Sequence, residues 1–402
     1  MKLSLRDLTN VRNKRVLVRV DFNVPLDATG KVTDDTRIRE ALPTIEHLLE
    51  AGAKVILMAH FGRPKGKREP TMSLRPVAKH LSELLVRPVA FVDDCIGEKA
   101  EKTISILQPG DCLLLENVRY YSEEEKNDGV FAAKLAALGD IYVNDAFGAA
   151  HRAHATTVGI PEIFKKQGKP CAAGFLMEKE LKFLGDELAS PARPFLVILG
   201  GAKVSDKIGV IDHLLAKADG FLIGGAMAYT LLKSRGIGVG SSLVENDKLA
   251  LAKATLDKAS QKKVQFHLPA DHLVVRKIEA AAEKKFTNGP VIEDGWIGVD
   301  IGMKTQHIYR DEIAKAKTIL WNGPMGVFEV AGFDTGTFAV ARAVAEATKA
   351  GAKSIIGGGD SVTAVRKAGV ADQVTFISTG GGASLEFLEG KELPGVAALT
   401  GK

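Results

Sequence analysis

Two kinds of chemistry follow the apolar, strand-like runs of this sequence, one in each half of the chain. In the second half these runs end in glycine clusters, such as Gly200-Gly201. In the first half they end in residues with cationic or hydrogen-bonding side chains, such as His60 and Arg119. Ligands of open α/β sheets bind beyond the carboxyl ends of the strands. The sequence therefore predicts two ligands, one held by backbone amides and one by guanidinium groups.

The run from Gly357 to Ser361 has the composition of a phosphate site. Glycines after a strand let backbone N–H groups approach an anion, and the start of the next helix adds free amides. We expect Ser361 to cap a helix over 362–367. Asp360 would repel a bare phosphate, so it is interpreted as a ligand of Mg²⁺ that bridges phosphate oxygens. A tight turn with a capping acid remains the alternative for any single cluster.

Other polar residues of the second half are candidates for the same ligand. Lys203 and Lys207 are four residues apart, so on a helix they would share one face and an anion could lie between them. Two surface lysines are the alternative interpretation. The run Gly380-Gly381-Gly382 offers a second nest of amides. Asn322 and Glu329 are weaker candidates for the wall of a base or ribose pocket.

The first half carries the residues expected to bind a second anion. Twelve of the 18 arginines lie in residues 1–152, and Arg suits bidentate recognition of carboxylate and phosphate. Asp34 and Asp35 are expected to orient Arg37. The side chains at or near predicted strand ends that form this candidate pocket are Asp21, Asn23, Arg37, His60, Arg63, Arg119 and Arg152. Singly, each cation could be an ordinary surface residue. A metal site at His151 and His154 is disfavoured because no third ligand is in view.

The elements that must position these residues alternate between strands and helices, which indicates mainly parallel sheets. At 402 residues the chain is too long for one core, so two domains are expected. A helical pattern over 175–188 is interpreted as an interdomain helix, with a surface helix in one large domain as the alternative. Further helices are predicted within 44–50 and 74–85. Strands are predicted near 15–21, 54–59, 89–92, 112–116, 140–144, 195–199, 220–223, 263–268, 317–321, 353–357 and 373–378.

Composition and missing motifs narrow the functional classes. The net charge of +5 is small, and aromatic residues make up only 6%, which disfavours nucleic-acid binding. Neither a Walker P-loop nor a G-x-G-x-x-G fingerprint is present. The three cysteines lack metal-ligand spacing and indicate free thiols in a reducing compartment. No leader or membrane-spanning run is found, so a soluble, cytoplasmic protein is expected.

Taken in order along the chain, these segments resemble the phosphoglycerate kinase family. The resemblance covers nearly the whole chain. Departures are mild, since Ala59 and Phe61 flank His60 where Ser and Leu are usual, and Ser361 stands where Thr is frequent. The matching segments are Arg19 to Pro25, Asp34 to Ile38, Gly62 to Gly66, Glu116 to Arg119, Asn144 to Gly148, His151 to His154, Gly200 to Val204, Trp321 to Gly326, Gly357 to Asp360 and Ser378 to Ser384.

The resemblance implies an α/β fold with two doubly wound, Rossmann-like parallel-sheet domains joined by an interdomain helix and hinge, with the active site in the cleft between them. It implies a phosphoglycerate-binding domain over 1–172, a hinge helix over 173–193 and a nucleotide-binding domain over 194–387. Residues 388–402 are expected to pack back on the first domain. A monomer without nucleic-acid or membrane partners is expected from the family.

The resemblance also implies the reaction, a reversible Mg²⁺-dependent transfer of the acyl phosphate of 1,3-bisphosphoglycerate to ADP, which gives 3-phosphoglycerate and ATP. The seven residues of the basic pocket would bind phosphoglycerate. The implied catalytic groups are Arg37, Lys203 and the amides near Gly380 and Gly382. The implied nucleotide-binding residues are Gly201, Ala202, Lys203, Lys207, Gly298, Asn322, Glu329, Gly358, Gly359, Asp360 and Ser361, with Asp360 also towards the metal.

Direct in-line transfer with domain closure is expected, because the two substrates must meet and water must be excluded. Two other classes remain open at this point. A NAD-dependent dehydrogenase shares the architecture but lacks its fingerprint here. A non-enzymatic anion- or nucleic-acid-binding protein could use the same basic residues.

Overall fold

The computed structural model describes residues 2–402. The chain divides into two compact units. Unit 1 comprises the chain up to Lys182 together with Glu392–Lys402, and unit 2 comprises Phe183–Lys391. Each predicted site residue of the first half therefore lies in unit 1, and each predicted nucleotide residue lies in unit 2. The assignment of one substrate to each unit stays a prediction.

Unit 1 is built on a six-stranded, fully parallel sheet with helices between the strands. Its strands are β1 (Arg15–Val20), β2 (Lys54–Met58), β3 (Val89–Val92), β4 (Cys112–Leu115), β5 (Ile141–Asp145) and β6 (Cys171–Ala173). The strand order is β3-β4-β2-β1-β5-β6. Its helices are α1 (Thr36–Glu50), α2 (Arg75–Leu85), α3 (Glu98–Ser105), α4 (Ser122–Glu125), α5 (Gly129–Ala136), α6 (Ile160–Lys166), α7 (Phe175–Glu180) and, near the end of the chain, α16 (Pro394–Ala397).

Unit 2 repeats the architecture with a second six-stranded parallel sheet, in the order β15-β14-β13-β7-β8-β9. Its strands are β7 (Phe195–Leu199), β8 (Gly220–Ile223), β9 (Gln265–His267), β10 (His272–Val275), β11 (Lys284–Phe286), β12 (Ile297–Ile301), β13 (Thr318–Asn322), β14 (Lys353–Gly357) and β15 (Phe376–Ile377). Its helices are α8 (Glu187–Ala189), α9 (Ile208–Leu214), α10 (Met227–Ser234), α11 (Leu249–Gln261), α12 (Met303–Lys315), α13 (Thr335–Lys349), α14 (Gly359–Lys367) and α15 (Gly382–Leu388).

Neighbouring strands in both six-stranded sheets are parallel, and the helical crossovers that join parallel strands cover the faces of such sheets. Every residue of β7 and of β13 is buried. Strands buried on both faces are continuous apolar runs rather than alternating ones, and β7 has the sequence Phe-Leu-Val-Ile-Leu. The strand ends are consequently the places where polar residues can reach a ligand.

The predicted fold class is confirmed, with two parallel-sheet α/β units. Each predicted strand is present, but the prediction missed β6 and the three-stranded antiparallel sheet β11-β10-β12. The helix predicted within 44–50 begins eight residues earlier, at Thr36, and contains Pro43. Short strands of three to five residues with polar positions, such as β11, resemble loops in the sequence.

The helical pattern over 175–188 is helical in the structure but is not one regular α-helix. The α-helix α7 continues into a π-helix over Leu181–Asp186, followed by the single turn of α8. Mid-helix π turns occur frequently at functional sites. The boundary between the two units falls within this segment, after Lys182.

The last residues of the chain belong to unit 1. The Leu3 amide donates to the Thr400 carbonyl at 2.7 Å, and the Gly395 amide donates to the Ala150 carbonyl at 2.8 Å. Lys402 forms an ion pair with Asp7. Residues 388–391, which were predicted to join them, lie in unit 2. Throughout residues 2–402, each helix is too short or too polar to traverse a lipid bilayer.

Candidate active site

Arg37 is held by groups at the end of β1. It lies in the first turn of α1, and its Nη1 donates to both carboxylate oxygens of Asp21, at 3.1 and 3.2 Å, and to the Asn23 carbonyl at 3.2 Å. Asp21 is buried, so this pair is shielded from water on one side. The guanidinium is thereby fixed near the carboxyl end of the sheet.

The prediction that Asp34 and Asp35 orient Arg37 is wrong. The Asp34 carboxylate accepts from the amide and hydroxyl of Thr36 at the start of α1. Asp35 pairs with Arg39 at 2.9 Å and lies 3.0 Å from His80. Asp34 therefore stabilises the start of α1, and Asp35 forms contacts on its surface. The carboxylate that orients Arg37 belongs to Asp21, sixteen positions earlier in the sequence.

Gly62 joins two further residues of the predicted pocket. Its amide donates to Asn23 Oδ1 at 2.9 Å, and its carbonyl accepts from Arg119 Nη1 at 3.1 Å. Arg119 also lies 3.4 Å from Glu125. Burial lowers the pKa of Arg119, although a guanidinium stays protonated at any pH of interest. Asn23 and Arg119 are thus positioned by the same backbone loop after β2.

His60 lies at the end of β2 and is buried. Its Nδ1 is 3.0 Å from Nη2 of Arg19. Burial lowers the pKa of His60 well below its usual range, and the cations Arg19, Arg119 and Arg37 act in the same direction. His60 is therefore a neutral imidazole in a cationic environment.

Arg63 and Arg152 are more loosely placed than the other members of the set. Both are exposed, Arg63 in the loop after β2 and Arg152 in the loop after β5. Arg152 contributes to lowering the pKa of His154 to about 4, although burial is the main cause. The structure thus brings Asp21, Asn23, Arg37, His60 and Arg119 together as a set and leaves these two at its edge.

Three buried polar residues behind the pocket were not predicted as site residues. Arg19 lies on β1 and is fully buried. Thr156 lies in a π-helical turn, and Glu124 is the third residue of α4. The signal that could have found Arg19 is its position inside the apolar run Val16 to Val20, since an arginine there must be paired.

In unit 2 the glycine-rich strand ends surround one open cavity of about 720 Å³. Amides, hydroxyls and three lysines contribute to its wall, which suits a phosphate group. Residues of α15 and of the segment after it complete the wall. The predicted site residues that line the cavity are Gly201, Ala202, Lys203, Lys207, Asn322, Gly358, Gly359, Asp360, Ser361 and Gly382.

Lys207 reaches Asn322 across this cavity. Its Nζ donates to Asn322 Oδ1 at 2.5 Å, and burial lowers the pKa of Lys207. The prediction that Lys203 and Lys207 share a helix face is wrong. Lys207 precedes α9 as its N-cap, and Lys203 lies in the irregular segment before it. Glycines after β7 extend this segment, so the helix begins too late to include either lysine.

The turn between β14 and α14 presents backbone donors to the cavity. Gly358 has φ +84°, a conformation that glycine adopts without strain, and α14 begins at the next residue. The first amides of a helix have no acceptor within it, so those of Gly359 to Ser361 are donors for an anion. Asp360 lies in the first turn and is exposed.

The prediction that Ser361 caps this helix is wrong. Ser361 lies inside α14, and its hydroxyl accepts from the Gly323 amide at 2.5 Å. It is fully buried and fixes the loop after β13 against α14. Gly358, rather than Ser361, is the N-cap residue of α14.

The turn before α15 supplies a second set of amides. Gly381 has φ +52°, and α15 begins at Gly382, whose amide has no acceptor within the helix. The Gly380 amide already donates to Ser378 Oγ at 3.2 Å. Of the predicted pair Gly380 and Gly382, the second is thus the better placed donor.

Gly298 and Glu329 do not line this cavity. Gly298 lies on β12, where its amide donates to Ser242 Oγ at 2.9 Å and its Cα faces the ring of Tyr229. Glu329 is exposed in the loop after β13. The Val327 amide of that loop donates to the Val299 carbonyl at 2.8 Å, so both residues border the antiparallel sheet.

A divalent metal fits the acidic side of the cavity. Among residues 2–402, no three His, Cys, Asp or Glu side chains form a metal cage. Mg²⁺ is commonly bound by one or two carboxylates together with substrate phosphates, so a single exposed Asp360 beside the amide donors suits it. The sequence-based interpretation that disfavoured a metal at His151 and His154 is not tested by the structure.

Comparisons with known proteins identify the family of this chain. A family model described as "Phosphoglycerate kinase" matches residues 5–391. The chain is 57% identical to the phosphoglycerate kinase of Koribacter versatilis, with 100% of each chain covered. It is 58% identical to that of Acidobacterium capsulatum, again with 100% of each covered.

Solved structures give the same result. The chain superposes on the phosphoglycerate kinase of Coxiella burnetii with a TM-score of 0.89 and 41% identity, covering 99% of this chain and 98% of that one. The corresponding values for the enzyme of Pyrococcus horikoshii are 0.81 and 35%, with 99% and 98% covered. With two α/β units, a basic pocket in one and an amide-lined cavity in the other, the chain belongs to the phosphoglycerate kinase family.

Proposed function

We propose that this chain binds phosphoglycerate in unit 1 and the adenine nucleotide in unit 2, and catalyses the phosphoglycerate kinase reaction by direct in-line transfer. The observation that supports it most is the continuous set of contacts from Asp21 through Arg37, Asn23 and Gly62 to Arg119. These contacts gather two guanidiniums at one sheet edge. Arg binds carboxylate and phosphate groups in a fixed geometry, and phosphoglycerate carries one of each.

Transfer of a phosphoryl group between two oxygen atoms requires positioning and charge neutralisation from the protein rather than covalent chemistry. Arg37 would stabilise the carboxylate oxygen and the moving phosphoryl group. Lys203 would neutralise that group from the nucleotide side, and the amide of Gly382 would take up equatorial charge. No phospho-enzyme is required, because the acceptor oxygen belongs to the second substrate.

The nucleotide phosphates would lie against the amides of Gly359 to Ser361 and near Lys207. Lys207 now donates to Asn322, and a phosphate oxygen would compete for that proton. Mg²⁺ would be held by Asp360 and by phosphate oxygens, and when bound it would neutralise charge that develops on them. Gly298 and Glu329 would meet the base and ribose rather than the phosphates.

The direct test is a steady-state assay with 3-phosphoglycerate, ATP and Mg²⁺, coupled to a dehydrogenase that consumes 1,3-bisphosphoglycerate with NADH. We expect NADH oxidation that requires all three components. Omission of Mg²⁺ by chelation should abolish the rate and its return should restore it. Turnover that persists with 3-phosphoglycerate omitted, or folded protein that shows none, would contradict the proposal.

Domain closure is part of the proposal, because substrates held by different units must be brought together for transfer. We expect the two substrates together to reduce the radius of gyration more than either alone. Small-angle X-ray scattering of the protein with 3-phosphoglycerate, with a non-hydrolysable ATP analogue, and with both measures this. An unchanged radius of gyration in the ternary sample would count against closure.

A further inference from the structure

Arg19 is a buried cation in which each of the three guanidinium nitrogens has a hydrogen-bond partner. Its side chain has no exposed surface. Nη1 donates to the Val20 carbonyl at 2.5 Å, Nε donates to Thr156 Oγ1 at 2.9 Å, and Nη2 lies 3.0 Å from His60 Nδ1. A charge buried this deeply is retained only where it is hydrogen-bonded and balanced. Its geometry is therefore fixed on three sides.

The balancing charge is Glu124, which is also fully buried. It accepts from the Thr156 amide at 3.0 Å and from Thr156 Oγ1 at 2.5 Å. Because a guanidinium can only donate, Thr156 Oγ1 accepts from Arg19 and gives its own proton to Glu124. Burial raises the pKa of Glu124, and Arg19 opposes that rise. Thr156 thus links the two charges through hydrogen bonds that all run from Arg19 to Glu124.

The same argument assigns the proton of His60. Arg19 Nη2 can only donate a hydrogen bond, so Nδ1 of His60 must be an acceptor. A neutral imidazole with an acceptor at Nδ1 carries its proton at Nε2. Protonating Nδ1 would place N–H against N–H, at 3.0 Å from a cation. Nε2–H remains as the only donor of the ring.

We propose that Arg19 is a positioning residue that holds His60 in the neutral, Nε2-protonated form, so that His60 offers a donor of fixed orientation to the phosphoglycerate pocket. This inference rests on the proposed function for the identity of that ligand. The charged and titratable groups that face His60 are Arg19 on β1, Arg37 on α1, Arg119 after β4 and His154 before the π-helical turn. Each of them lowers the pKa of His60, as burial does, so together they favour the neutral form.

The consequence is a donor that does not change with pH. A histidine with an ordinary pKa near 6.5 would switch between one and two donors in the physiological range. Held by Arg19, His60 presents one donor throughout, and the charge of the pocket is carried by arginines alone. Affinity for the anion would then follow the ionisation of the ligand rather than that of the site.

Nuclear magnetic resonance of the ring nitrogens tests the tautomer on the ligand-free protein. With ¹⁵N-labelled histidine, long-range ¹H–¹⁵N correlation spectra from pH 5.5 to 8 should show one ring with unprotonated Nδ1 and protonated Nε2 at every pH. His60→Gln should remove that signal and so assign it. A His60 signal that titrates near pH 6.5, or that carries its proton at Nδ1, would overturn the inference without any variant of Arg19.

A double-mutant cycle tests the positioning role. We expect Arg19→Lys to raise the KM for 3-phosphoglycerate by about tenfold in the parent, and to have no further effect when His60 is already Gln. Arg15→Lys is the matched control, because Arg15 lies on the same strand and pairs with Asp140 at 2.7 Å, away from His60. It should change neither the His60 signal nor KM.

Two outcomes separate this inference from the proposed function. Additive effects of Arg19→Lys and His60→Gln would show that Arg19 supports the fold only, and would overturn the inference while leaving the proposed site intact. An unchanged KM in His60→Gln would remove His60 from the phosphoglycerate site. That result would overturn the assignment in the proposed function, and the positioning role with it.

Discussion

The two units use one architecture and opposite means of binding an anion. In unit 1 the candidate pocket is made by side chains that other side chains hold, as Asp21 holds Arg37 at 3.1 Å. In unit 2 the cavity is made largely by the backbone at the starts of α14 and α15, with Lys207 and Asp360 added. Both sites lie at the carboxyl ends of a parallel sheet, so the difference resides in the turns and not in the scaffold.

This contrast implies that the two sites fail in different ways. A side-chain site is lost by truncation, which leaves the backbone unchanged. Apart from its lysines, the unit 2 site is made of backbone amides, which side-chain truncation does not remove. These amides are lost when a Cβ atom forces the turn into another conformation. Substitutions that act on one site by one route should therefore leave the other site, measured by its own ligand, unaffected.

The largest expected effects come from removing one cation on each side. Arg37→Ala and Lys203→Ala should each fold and should each lower kcat by about 10²–10³, since each donor would be preorganised for the charge of the moving phosphoryl group. Arg39→Ala and Lys253→Ala are controls, because each removes an exposed cation from a helix of the same unit as its counterpart. Steady-state kinetics measures this, and near-normal turnover in Arg37→Ala or Lys203→Ala would refute that residue's role.

A smaller effect is expected where a methyl group is added to the backbone site. Gly381→Ala places a side chain at φ +52° and ψ −118°, a sparsely populated conformation, and should cost about 1–3 kcal/mol of unfolding free energy. Gly369→Ala is the matched control, because Gly369 has φ +71° in the turn after α14 and open space around its Cα. Both should lower stability in urea unfolding, but only Gly381→Ala should also lower kcat. Equal kinetics in the two variants would argue against an amide site before α15.

A third effect concerns the pH dependence of stability, and it has opposite signs in the two units. Burial lowers the pKa of His154 in unit 1 to about 4 and raises the pKa of Asp300 in unit 2 to about 7. His154 therefore contributes stability above pH 6.5 that is lost as pH falls towards 4. Asp300 contributes stability near pH 4 that is lost as pH rises to 7. Each slope is at most about 1.4 kcal/mol per pH unit.

Urea unfolding of the parent, His154→Gln and Asp300→Asn from pH 4.5 to 8 measures both slopes as differences from the parent. The stability lost in His154→Gln should shrink as pH falls, and that lost in Asp300→Asn should shrink as pH rises. Each variant serves as the control for the other. Differences that do not vary with pH would contradict the assignment of these protonation states.

Local signals in the sequence were sufficient to predict much of the fold. Apolar runs followed by glycine predicted the strands β7, β8, β13 and β14, because continuous hydrophobicity is required of strands covered on both faces. The same runs place the candidate ligand sites at the strand ends, and that assignment stays a prediction. The roles of residues at helix ends were predicted less well, because each role depends on the residue at which the helix begins. Ser361 was expected to cap α14, and the boundary three residues earlier makes it a buried link to Gly323 instead.

The sequence by itself determined the α/β class and the residues at the strand ends, because these follow from the periodicity of apolar residues along the chain. It also indicated the family, through the order of its motifs. Only the tertiary structure decided which partner each residue has. Asp21 rather than Asp34 holds Arg37, and Arg19 rather than a water-exposed group faces His60. Such pairings join strands and helices distant in sequence, and hydrogen-bond direction and burial are properties of those contacts, which no local pattern records.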